Sequence, residues 1–165
     1  MSLYLCIFRE DEEIEGVEVG SYDDFGRFRD TVAAKLENGH QGSRFPILQL
    51  HPDSDGQWTV DECRGLTAEL ERIQKELSRL PPATFAADQE AIAEELNLVP
   101  RNLSESFIDI DGEHLLSRLI DLCRLAMLGL RAGMRAGPWH GHRTGRLGAC
   151  ADGEGRLALD LDQTG

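Results

Sequence analysis

TVDECRGLTAELERIQKELSRLPP, residues 59–82, decides how the rest of the chain can fold. Cys63, Leu66, Leu70, Ile73, Leu77 and Leu80 alternate by three and four residues, which is one stripe of an α-helix. Thr59 and Glu62 spell a T-x-x-E capping box, and Trp58 and Cys63 stand at its N′ and N4 staple positions. Pro81-Pro82 ends the helix, because proline has no N–H to donate. A stripe this regular needs a second apolar layer to cover it.

Working upstream, RFPILQLH (44–51) is expected as a strand, with Pro46 at its start or on an edge. Between that segment and the helix lies HPDSDGQWTVDE (51–62), which raises a calcium-loop alternative. With Gly56 at loop position 6, Asp53 and Asp55 take positions 3 and 5 and Glu62 takes position 12. Position 1 is then His51, a nitrogen donor where a hard ion needs a carboxylate, and a strand precedes the loop instead of a helix. The turn reading is simpler. Asp53 and Gly56 suit the ends of a type I turn, and Glu62 belongs to the capping box.

At the start of the chain, SLYLCIF (2–8) alternates apolar residues on both faces and is expected as a strand inside its sheet. Ile14, Val17 and Val19 mark a short second strand, with Gly16 at a turn or bulge. Ser21 is the expected N-cap of a helix, with Asp24 three residues on. Phe25, Phe28, Val32 and Leu36 follow at helical spacing, and Asn38-Gly39 closes it.

Downstream of Pro82, a helix is expected over 87–97, a strand over 106–110 (SFIDI) and a helix over 112–128. The last carries Leu115, Leu116, Leu119, Ile120, Leu122, Cys123 and Met127, a face wide enough to lie across a sheet. From about residue 129 the composition changes. Gly129, Gly133, Gly137, Gly141 and Gly145 recur at every fourth position among Arg, His and Ala. Glycine disfavours helix and strand interiors. Residues 131–165 are therefore expected as a poorly ordered tail after a single globular domain over 1–130, with LALDL (157–161) its only strand-like piece. The expected fold class is α+β or α/β: three to four strands with three to four helices packed on them.

FIDIDGE (107–113) is the stretch that most invites a catalytic reading. Haloacid-dehalogenase phosphatases carry a similar D-x-D-G string, in which the first aspartate attacks phosphorus and the second handles the leaving-group proton. A metal-dependent phosphohydrolase using Asp109 and Asp111 is thus an alternative. That scheme also needs a cation for the phosphoryl oxygens and a later acidic pair for Mg²⁺. The only lysines are Lys35 and Lys75, both upstream, and only the Gly/Arg-rich run follows. The simpler reading makes Asp111 an N-cap for a helix starting at Gly112, with Ile110 and Leu115 as the staple and Asp109 facing solvent.

A net charge of −13 is the strongest global property. It argues against nucleic-acid binding, since phosphates would be repelled. It would accelerate encounter with a basic protein. The densest acidic stretch is Glu10, Asp11, Glu12, Glu13, Glu15 and Glu18, with Asp23 and Asp24 close behind; this is the candidate partner-binding surface. The four cysteines, Cys6, Cys63, Cys123 and Cys150, have no C-x-x-C spacing and read as small core residues. His140 and His142 lack companion ligands. No Gly-rich phosphate loop follows a strand, so no cofactor is expected. No apolar run approaches the ~20 residues of a membrane helix, and MSLYLCIFREDEE lacks the features of a signal peptide. The expected location is the cytoplasm.

LYLCIF, GVEVGSYDDFGRFRD, SRFPILQLHPDSDGQW and FIDIDGEHLLSRLIDLCRLA, taken in order over residues 2–128, resemble the immunity protein 70 family of bacterial polymorphic-toxin systems. The resemblance implies a non-enzymatic inhibitor that binds a cognate toxin domain and blocks it. It brings no functional residues with it. The charge makes a basic, nuclease-like toxin the expected partner. Family members end in a short apolar strand where this chain has its Gly/Arg/His-rich run, a composition that a shifted reading frame in G+C-rich DNA would produce. A missing strand would leave a sheet edge open and invite pairing, so monomer and homodimer both stay open.

Overall fold

The computed structural model describes residues 2–9, 12–51, 57–133, 144–150 and 156–162. Its elements run β1 (Ser2–Arg9), β2 (Glu12–Ser21), α1 (Tyr22–Leu36), α2 (Pro46–Gln49), β3 (Gln57–Thr59), α3 (Val60–Leu77), α4 (Ala87–Glu95), a 3-10 turn (Leu103–Ser106), α5 (Leu115–Gly133), β4 (Thr144–Cys150) and β5 (Arg156–Asp162). The strands form one sheet in the order β2-β1-β5-β4-β3. β1 and β5 are its one parallel pair; the other neighbours are antiparallel. The fold class is α+β.

Leu3, Leu5 and Ile7 of β1 and Val17 and Val19 of β2 bury their side chains in one core with the apolar faces of α1, α3 and α5. The α3 stripe is the centre of that core: Cys63, Leu66, Leu70, Ile73 and Leu77 are all buried. Each buried Leu or Ile contributes about 1.5–3 kcal/mol of transfer free energy. From α1, Phe28 sits edge-on to Phe107, with ring centroids 5.3 Å apart. Cys6, Cys63 and Cys123 are buried, as expected of small core residues.

Both expected capping boxes form. Asp24 N–H donates to Ser21 Oγ at 3.1 Å and Ser21 N–H to Asp24 Oδ2 at 2.8 Å, which starts α1. Glu62 N–H donates to Thr59 Oγ1 at 3.2 Å and Thr59 N–H to Glu62 Oε2 at 2.6 Å, which starts α3. Asn38 (φ 53°) and Gly39 (φ 79°) end α1, and Gly39 N–H reaches back to Ala33 C=O at 2.8 Å.

Two expectations are corrected. RFPILQLH is not a strand: Pro46 opens the short helix α2. Proline suits a first helical position, and the N–H groups of Ile47 and Leu48 are taken by the Glu69 carboxylate of α3 at 3.2 and 3.0 Å. A partner 22 residues away in sequence overrides the local strand pattern. SFIDI is not a strand either. Its first residue ends the 3-10 turn, and Ile108 makes only an isolated bridge to His114. Within residues 131–165 the described residues include β4 and β5. LALDL falls in β5, as expected, but β4 was not foreseen. Its Gly and Arg residues carry no apolar alternation, yet its backbone pairs with β5 along seven residues and with β3 along three. β5 also covers the side of β1 away from β2, over Tyr4–Ile7, so that side of β1 is no open edge.

Candidate functional site

Residues 107–115 form a tight loop, not a strand-to-helix junction. Ile108 and His114 face each other across it, Leu115 N–H donates to Phe107 C=O at 3.0 Å, and Asp109 N–H to Glu113 C=O at 2.9 Å. Gly112 closes the turn at φ +80°, a left-handed conformation that glycine adopts without strain. Asp109 is buried inside the loop. Its Oδ1 accepts from Asp111 N–H at 3.0 Å and Glu113 N–H at 2.9 Å, and its Oδ2 from Arg118 Nε at 3.2 Å. Burial pushes its pKa above the usual aspartate range, against the pull of the two backbone donors and Arg118.

Several readings of FIDIDGE change accordingly. Asp109 does not face solvent; it is the strut around which the loop folds, and both its oxygens are committed within the chain. A nucleophile would have to present one of them to phosphorus. Asp111 is exposed and does not cap α5, which begins at Leu115 instead of Gly112. Ile110 is 42% exposed while Leu115 is buried, so the two make no staple.

Within the 51–62 loop, Asp53 and Asp55 lie outside the described residues. Glu62 is engaged in its capping box. Among the described residues no group of three His, Cys, Asp or Glu side chains is placed to hold a metal ion. His140 and His142 also lie outside them. His51 stacks on Trp58, with ring centroids 3.7 Å apart, and Trp58 Nε1 donates to Ile47 C=O at 3.2 Å.

Sequence reasoning missed a set of buried polar side chains beside this loop. Glu37 accepts from the N–H groups of Gly42 (3.2 Å), Arg44 (2.9 Å) and Phe45 (2.9 Å). Arg29 donates to Gln49 C=O, and Gln49 Nε2 returns a bond to Arg29 C=O at 2.9 Å. Burial pushes the Glu69 carboxyl up, against the Leu48 and Ile47 N–H groups that favour its charge. One signal could have found Glu69: it falls on the apolar face of α3, between Leu66 and Ile73, where a carboxylate needs a buried partner. These groups shape residues 37–51.

Four of the acidic candidates lie on an edge strand. Glu12, Glu13, Glu15 and Glu18 lie on β2, the outermost strand. Glu15 is exposed and Glu18 half-buried; Glu10 and Asp11 lie outside the described residues. Charge on an edge strand also discourages pairing with another chain. Asp23 is exposed and lines a groove along α1 together with Arg27, Asp30, Lys35 and Gln41. Asp24 differs from the rest: it is buried, and its carboxylate is held by Ser21. No described helix is long and apolar enough to cross a membrane.

No curated protein and no solved structure matches the chain. The family model for immunity protein 70 matches residues 3–129, a span that starts in β1 and ends in α5. This is well over half of the sequence, and the chain belongs to the immunity protein 70 family.

Proposed function

We propose that this chain is an immunity protein that binds a cognate toxin domain and neutralises it by covering its active cleft, without chemistry of its own. The family membership carries the reading. The charge of −13 supports a basic, nuclease-like toxin, because a strong opposite field raises association rates and disfavours wrong partners. The contact surface includes the carboxylates of β2, Glu12, Glu13, Glu15 and Glu18, with Glu10 and Asp11 next to them in sequence and Asp23 at the start of α1. The protein acts in the compartment where the toxin does its damage, the cytoplasm.

The test is co-expression with the toxin domain encoded beside this chain's gene. Restored growth is the expected result; continued killing at equal expression refutes the reading. In purified form, Glu12→Lys with Glu13→Lys should slow association and flatten its dependence on salt. An on-rate equal to wild type at low ionic strength would remove these residues from the contact surface.

A further inference from the structure

Five large apolar side chains stand in solvent among the described residues: Leu50, Leu96, Val99, Ile110 and Leu128. Isolated exposed leucines need no explanation. Three of these, however, lie on two segments that touch. Gln89 of α4 donates from Nε2 to Ile108 C=O at 2.7 Å, which fastens α4 to the 107–115 loop. A Cβ placed on Gly112 would come within 2.4 Å of Leu96 Cδ1, 3.3 Å of Leu98 Cδ1 and 3.5 Å of Ile92 Cγ2. The loop therefore lies directly on the C-terminal end of α4. Leu96 just past the end of α4, Val99 three residues on and Ile110 on the loop are the exposed large apolar groups of these two touching segments, and Val99 is 82% exposed.

The surroundings of these groups are acidic. Glu94, Glu95, Asp111 and Glu113 are exposed, and none has an ion pair or side-chain hydrogen bond among the described residues. Neither 87–99 nor 108–113 contains a Lys or Arg. The nearest arginines in sequence are occupied: Arg101 pairs with Glu105 at 2.6 Å and Arg118 with Asp109 at 3.2 Å. Ile110 N–H also donates to Glu18 C=O at 3.2 Å, so the loop adjoins the acidic edge strand β2. An apolar centre inside a charged rim is how protein interfaces are built.

We propose that Leu96, Val99 and Ile110 are the apolar centre of the toxin-docking surface, and that its occupant is a basic protein face presenting an apolar side chain ringed by Lys or Arg. This rests on the immunity reading above. A second copy of this chain fits poorly. A two-fold contact here would set Glu94, Glu95, Asp111 and Glu113 against their own copies. Nucleic acid and anionic membranes are repelled by the same rim.

The experiment measures binding of the toxin domain encoded beside this gene to the full chain. The variants are Val99→Ser with Ile110→Ser, Val99→Ser alone, and Leu50→Ser as a control on an exposed leucine elsewhere. The double variant should weaken Kd at least tenfold, mainly through faster dissociation, and Leu50→Ser should leave it unchanged. Val99→Ser is a surface change; should the double variant lose its thermal transition, a threefold or greater loss in the single variant decides. Wild-type binding with less than a twofold effect of the serine variants overturns the docking centre and leaves the immunity reading standing. An equal loss in Leu50→Ser also overturns it. No binding by wild type overturns both.

Discussion

Truncating Asp109 to alanine should destabilise the protein by about 2 kcal/mol, a loss that a surface carboxylate could not cause. The magnitude follows from what the carboxylate holds. Two backbone N–H groups, of Asp111 at 3.0 Å and Glu113 at 2.9 Å, lose their acceptor, at about 1 kcal/mol each. Arg118 loses a partner at 3.2 Å, but its side chain is 34% exposed and can turn to water, so it adds little. Burial already raises the Asp109 pKa. Removing a buried, partly penalised carboxyl therefore returns some free energy, and the total stays below the roughly 3–5 kcal/mol typical of a broken buried pair. Asp111→Ala removes an exposed carboxylate with no bond and should cost within about 0.5 kcal/mol. Asp109→Asn should fall between them: it keeps an acceptor for the two N–H groups but can set an amide N–H against Arg118. Urea unfolding at pH 7 measures all three. The loss corresponds to a drop of roughly 4–8 °C in Tm for a chain of this size. Equal effects of Asp109→Ala and Asp111→Ala would refute the strut and reopen Asp109 as a functional carboxylate.

Thr59→Ala removes one half of the α3 capping box and should cost about 1 kcal/mol; an unchanged urea midpoint would show that the cap adds nothing. Glu69→Ala strands the N–H groups of Ile47 and Leu48 at the start of α2 and should cost about 2 kcal/mol. The loss should appear in hydrogen exchange as faster exchange at residues 47 and 48; unaltered protection there would count against the cap. The Arg101 side chain and backbone N–H hold the Glu105 carboxyl down to about 2. A carboxyl lowered in the folded state adds stability above its unfolded pKa of about 4.3 and loses it as pH falls through the folded value. The stability gap between wild type and Glu105→Gln should thus be open at pH 6, narrow from about pH 4 and close near pH 2. A gap that does not change over that window would sink the assignment.

The helices that sequence placed best were those whose signals are local. The α3 stripe, its T-x-x-E cap and its double-proline stop lie within 24 residues, and they read correctly because helical spacing and capping depend on near neighbours. The same holds for Ser21, Asp24 and the Asn38-Gly39 end of α1. The failures share one cause. RFPILQLH has strand composition, yet Glu69 on a distant helix supplies the acceptors that make it helical. FIDIDGE has the string of a phosphotransferase, yet Arg118 and two backbone donors turn Asp109 inward.

By itself, then, the sequence determined the helices α1, α3, α4 and α5, the first two strands, the overall acidity and a mixed class, α+β or α/β. It also carried the family pattern over residues 2–128. Tertiary structure decided the strand order, with β5 parallel to β1, the burial of Asp109, Glu37 and Glu69, and the meeting of Leu96 and Leu98 with Gly112. The division is physical. Periodicity and caps are contacts between residues a turn apart, and any reader of the chain can count them. A buried carboxylate and a loop packed on a helix end are defined by partners far along the chain, and only packing brings those partners together.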